Sequence, residues 1–236
     1  MIHGILFLSA LLLSCTSISQ ISPSKDDERI SVSFELELNQ DVYLKSAFGD
    51  PPQLVVWMEH VRGDDSCPHG GVRTLWVSRA MGQGIWKGKV KCDSCLPFWI
   101  SRLKNDPKIK ELPSFRYPLP DAISRATPKN RVTFEAELPC KHDRRYFIEV
   151  NIAADYNAEF SHLIQNSWPD PDGNGQPSLV YDGIIEIEPL QIGKPELRGR
   201  TLQVGTCDGL TLDTKGITTA FSIFLNISIA EAVHKD

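Results

Sequence analysis

The stretch "ISVSFELEL", residues 30–38, decides the fold class. Val32, Phe34, Leu36 and Leu38 fall on one face, and Ser33, Glu35 and Glu37 on the other, because successive strand side chains point to opposite sides. This is the pattern of a strand with one face on a core and one in water. Working outward, "QLVVWMEH" (53–60) is a denser apolar run and reads as a central strand. "VRTLWVSR" (72–79), "RVTFEAEL" (131–138), "RYFIEVNI" (145–152), "IIEIEPLQI" (184–192) and "ITTAFSIFLNISI" (217–229) continue the series. Gly, Pro, Asp and Asn lie between the runs, as turns require. Helical periodicity is scarce: "LPFWISRLK" (96–104) predicts one or two turns, and "AEFSHLIQN" (158–166) predicts another. Residues 193–216 are rich in Gly and charge and read as a long excursion before the last strand. These seven runs predict an all-β protein, an antiparallel β-sandwich of immunoglobulin-like type, with one or two short helices in loops.

The bulk numbers agree with a folded chain. Of 236 residues, 41% are hydrophobic and 23% charged, which is globular and not disordered composition. The net charge is -5, and no basic stripe is present to neutralise phosphates, so nucleic acid is not an expected partner. The apolar run Ile5–Leu13 is too short to span a bilayer and has the length of a secretory h-region. It runs into Leu12-Leu13-Ser14-Cys15, which resembles the bacterial lipobox; His3 is the only side chain before it that can carry positive charge. The expected organisation is a lipoprotein signal peptide over 1–14, a flexible tether over 15–28 starting at a lipidated Cys15, and one β-sandwich domain over 29–236. That places the protein in the bacterial cell envelope, anchored to a membrane by lipid and facing the periplasm or exterior.

Four stretches taken in order carry a family resemblance: "PPQLVVWMEH" with "VRTLWVSR", "LPFWISRLK", "DAISRATPKN" (121–130), and "YFIEVNIAADYN" (146–157) with "NGQPSLVY" (174–181). Together, over roughly residues 45 to 190, they resemble a family of bacterial periplasmic proteins of unassigned activity. Members are often encoded beside flavin transferases and PepSY-domain membrane proteins. The resemblance implies an envelope accessory role, with a protein of the envelope as a candidate partner. "DAISRATP" is also similar to the Asp-x-x-Ser/Thr-Gly-Ala-Thr stretch of proteins that carry FMN on a threonine phosphoester. Asp121, Ser124, Ala126 and Thr127 match, and Thr127 would be the acceptor. Arg125 stands where that motif has glycine, and a side chain there resists the positive φ that glycine allows.

Other sites are read from residue type and spacing. Besides Cys15 the chain has Cys67, Cys92, Cys95, Cys140 and Cys207, and an envelope location permits disulfides. Cys92-Asp93-Ser94-Cys95 has C-x-x-C spacing without the following His of a haem attachment site. Cys67, His69, Cys92 and Cys95 make either a Cys₃His zinc set or the source of a disulfide. In "WPDPDGNGQPSLVYDG" (168–183), Asp170, Asp172 and Asn174 take the first ligand positions of a calcium loop, with Gly175 behind them. Tyr181 takes the place of the bidentate Glu, and Asp182 lies one residue further on. A turn leading into a strand from Ser178 is the competing reading. Trp57 and Trp76 read as core, whereas Trp86, Trp99 and Trp168 lie near loops and are candidates for a binding surface. No metalloprotease, nucleophile-elbow or phosphate-loop motif occurs. The function expected is therefore a non-enzymatic binding or accessory module. A flavin carrier through Thr127 is the alternative, and a calcium- or zinc-binding protein the second.

Overall fold

A computed structural model describes residues 30–45, 51–61, 71–83, 95–114, 116–117, 119, 123–125, 129–138, 142–151, 177–201 and 209–232. The first strand, β1, covers Ile30–Leu38, as its alternation requires. It is followed by a helical turn α1 (Gln40–Leu44), β2 (Leu54–His60), β3 (Arg73–Ser78) and α2 (Arg79–Gly82). Next come α3 (Pro97–Asn105), β4 (Ile123–Arg125), β5 (Arg131–Leu138), β6 (Arg144–Asn151) and β7 (Ser178–Ile187). The chain ends with β8 (Leu190–Ile192), β9 (Glu196–Thr201), β10 (Leu210–Thr211), a 3₁₀ turn at Thr219–Ser222, and β11 (Phe224–Glu231).

Two sheets form. The smaller has three strands in the order β11-β1-β5. The larger has eight, β10-β9-β7-β6-β2-β3-β4, with β8 on β7. Every pairing is antiparallel except β3 with β4. The antiparallel all-β sandwich expected from the sequence is present. Its division into three and eight strands differs from the four and three of an immunoglobulin constant domain.

The core between the sheets is built from the alternation. Val32, Phe34, Leu36 and Leu38 of β1 join Val132, Phe134, Ala136 and Leu138 of β5, all buried. The larger sheet contributes Leu54, Val56 and Met58 from β2, Tyr146, Ile148 and Val150 from β6, and Leu179 from β7. Phe34 stacks on Phe134 at 4.9 Å between ring centres and meets Tyr146 edge-on at 6.0 Å, so one side chain joins the two sheets. Gly183 leaves room for the Tyr146 ring, since a Cβ there would lie 2.3 Å from the phenol oxygen.

The opposite face of the larger sheet is covered too. Val55, Trp57, Phe147 and Val180 point away from β1 and pack under α3 through Leu96, Trp99, Ile100 and Leu103. Burial on both faces explains why β2 reads as an unbroken apolar run and β1 as an alternating one. α3 begins with Pro97 in its first turn, where a missing N–H costs nothing, and carries Arg102 and Lys104 in its last turn, which suits the helix dipole.

Three readings change. Residues 193–216 are not one excursion: β9 and β10 lie within them, held by pairing with β7 and with each other. The last strand begins at Phe224, because Thr219–Ser222 coils into a 3₁₀ turn. Trp99 is core, fully buried in α3, with its indole N–H donating to Thr74 Oγ1 at 3.0 Å.

Candidate functional site

Among the described residues, the sandwich is open where β11 meets the larger sheet. β11 is the edge of the smaller sheet, and its burial is shallow along its whole length. Opposite it stand β7, β8 and the link from Gly193 to Pro195. Between them runs a cleft of about 590 Å³. Its floor is apolar: Tyr181 and Phe224 meet edge-on at 5.6 Å, with Ile192, Ile227 and Ile229 beside them, all half-buried against the core. Its rim carries Leu225, 62% exposed, and Phe221, 40% exposed, large apolar surfaces left in water. Among the described residues, Lys194 is the one charged residue in the lining.

The far wall is stiff. Gly193 donates its N–H to the Ile184 carbonyl at 2.8 Å and accepts the Tyr146 hydroxyl at 2.6 Å through its own carbonyl. Burial pushes the Tyr181 phenol up to about 12, so it remains a neutral hydroxyl at the cleft at physiological pH. A cleft with an apolar floor, polar main-chain groups along a strand edge and a lysine at its wall is suited to holding an elongated ligand that has both apolar and hydrogen-bonding groups.

A second polar cluster lies on the other face, and sequence reasoning did not single it out. Glu149 of β6 is fully buried beneath the start of α3. Its carboxylate accepts the backbone N–H groups of Trp99 at 2.7 Å and Phe98 at 3.1 Å, together with the Ser178 hydroxyl. Ser178 is tied in turn to Thr201, whose Oγ1 accepts the Ser178 N–H at 2.8 Å. Asn151 donates to the Cys95 carbonyl at 3.0 Å. Burial pushes the Glu149 carboxyl up to about 7, against the opposite pull of the Ser178 hydroxyl and the two amides. Ser178 and Glu149 have the chemistry of a nucleophile and a base. Both are fully buried, however, and their partners are a helix start and two strands, so the arrangement caps a helix. The only sequence signal was a lone Glu in the inner half of an apolar strand.

Beside this cluster, Glu59 accepts the Trp57 indole N–H at 2.9 Å and pairs with Arg102 of α3. Asp182, expected as an outlying calcium ligand, sits within β7. Its Oδ2 is held by Arg198 at 2.7 Å and Arg145 at 3.4 Å, and the Arg198 guanidinium lies over the Phe147 ring at 5.8 Å.

The other predicted residues are placed as follows. Cys15, Cys67, His69, Trp86, Cys92, Asp121, Ala126, Thr127, Cys140, Trp168, Asp170, Asp172, Asn174 and Cys207, and the predicted helical turn over 158–166, lie outside the described residues. Ser124 lies in β4, opposite Val77 of β3 in a parallel pairing. Cys95 is buried just before α3. Among the described residues, no group of three or more His, Cys, Asp or Glu is placed to hold a metal, and no helix is long and apolar enough to cross a membrane. Comparison with family models, curated proteins and solved structures found no match.

Proposed function

We infer that this chain is a non-enzymatic binding or accessory module of the bacterial cell envelope, lipid-anchored at Cys15, with the cleft beside β11 as its ligand site. The cleft carries the reading: half-buried aliphatic and aromatic side chains line a space at a strand edge, next to Lys194. The resemblance of Leu12–Cys15 to a lipobox and the ordered family resemblance support that location.

The cleft is tested with 8-anilinonaphthalene-1-sulfonate, an aromatic anion that fluoresces on apolar surfaces. Saturable binding to the folded chain is expected. Binding should weaken about tenfold, a change of about 1.4 kcal/mol, in a Phe221→Ser/Leu225→Asp variant, whose altered side chains are already exposed. Equal binding by both proteins would remove the cleft from consideration. The anchor is tested in a bacterial host: the full chain should fractionate with membranes and incorporate labelled palmitate. A Cys15→Ser variant should lose the label and leave the membrane fraction.

A further inference from the structure

The main chain of β11 indicates what kind of ligand the cleft takes. The Ala232 N–H donates to the Ser31 carbonyl at 2.8 Å, which puts the Ser31–Ala232 position in the hydrogen-bonded phase of the ladder. In an antiparallel ladder such pairs recur at every second residue. The register then makes Ser33–Ala230, Glu35–Ser228 and Glu37–Asn226 the bonded pairs. The N–H and C=O groups of Ile227, Ile229 and Glu231 therefore point away from β1, along the open edge, while the Ile227 and Ile229 side chains lie against the floor of the cleft.

Edge strands are usually blocked by lysine, proline or a bulge. β11 has a bulge at its start, where Leu225 has no partner in the register. From Asn226 to Ala230 it has neither charge nor proline. A strand laid beside this segment would bond to Ile227 and Ile229, and every second side chain would enter the cleft over Tyr181 and Ile192. Lys194 gives the cleft a positive charge, and among the described residues of the lining no carboxylate accompanies it.

Building on the cleft as the binding site, we propose that its occupant is an extended peptide segment of a partner protein. It adds as a strand to β11, with alternate apolar side chains in the cleft and a carboxylate facing Lys194.

The test uses the full chain and two fluorescein-labelled peptides of alternating valine and threonine, one ending in glutamate and one in lysine, read by fluorescence anisotropy. The glutamate peptide is expected to bind at least about tenfold more tightly. Lys194→Glu, a change at an exposed position, should reverse the preference. Ile227→Pro removes an outward N–H that no strand bond within the sheet uses, and should abolish binding of both peptides while the far-ultraviolet circular dichroism spectrum is retained. If neither peptide binds while the anilinonaphthalene dye still does, the peptide inference falls and the cleft reading stands. If neither peptide nor dye binds, both fall. A dimer in sedimentation that Ile227→Pro dissociates would make a second copy the occupant and overturn the proposal. Equal binding of the two peptides would overturn the role of Lys194.

Discussion

Replacing Phe34 with alanine is expected to lower the unfolding free energy by about 3–5 kcal/mol. Phe34 is fully buried, stacks on Phe134 of β5 and meets Tyr146 of β6 edge-on. It belongs to the three-stranded sheet but touches the eight-stranded one, so its removal leaves a hole at the joint. Part of the loss is the transfer of an aromatic ring out of water, and the rest is contacts that cannot re-form because sheet backbones cannot collapse into the gap. Urea denaturation of the wild type and of Phe34→Ala measures the difference. A loss below about 1 kcal/mol, with an unchanged denaturant slope, would mean that the small sheet docks far more loosely than its packing implies.

Glu149 should give the protein a stability that depends on pH near neutrality. Its carboxyl is raised from 4.5 to about 7 by burial. A group whose folded value lies above its unfolded value binds a proton on folding within that window. The associated stability is complete below about 4.5 and is lost as pH rises through about 7. At about 1.4 kcal/mol for each pH unit, the loss between those limits is roughly 3 kcal/mol. Glu149→Gln carries no charge and removes this dependence, while introducing a constant cost where its amide meets the Phe98 and Trp99 N–H groups. The difference in unfolding free energy, wild type minus variant, should therefore fall by roughly 3 kcal/mol between pH 4.5 and 8. Titrations shared by both proteins cancel in that difference. Parallel curves would mean that the three hydrogen bonds keep Glu149 ionised throughout, and that burial does not win.

Much of the fold was legible because its strands are of two simple kinds. β1 and β5 have one dry face; the side chains of β5 alternate throughout, and those of β1 alternate from Val32 onward. β2 and β6 are dry on both faces and read as dense apolar runs. α3 was legible as short helical turns after "LP". β9 was not. Its sequence, Glu-Leu-Arg-Gly-Arg-Thr, has no apolar period, and it is a strand because β7 presents free backbone groups to it. The 3₁₀ turn before β11 was missed for the opposite reason. Its residues are as apolar as a strand's, so composition did not distinguish them from the run that follows.

The sites divide along the same line. The cleft owes little to its local sequences. Phe221 and Leu225 read as parts of one strand; the structure puts Phe221 in the 3₁₀ turn and Leu225 on the edge strand β11, both exposed. By itself the amino-acid sequence determined that the protein is an antiparallel all-β sandwich, and which residues of its alternating strands face the core. Tertiary structure alone decided that Glu149 holds the start of α3, 50 residues away from Trp99 and 29 from Ser178, and that β11 has an open side. The physical reason is that periodicity within a strand sets the face a side chain takes. What covers that face, and which backbone groups find a neighbour, depends on segments far along the chain.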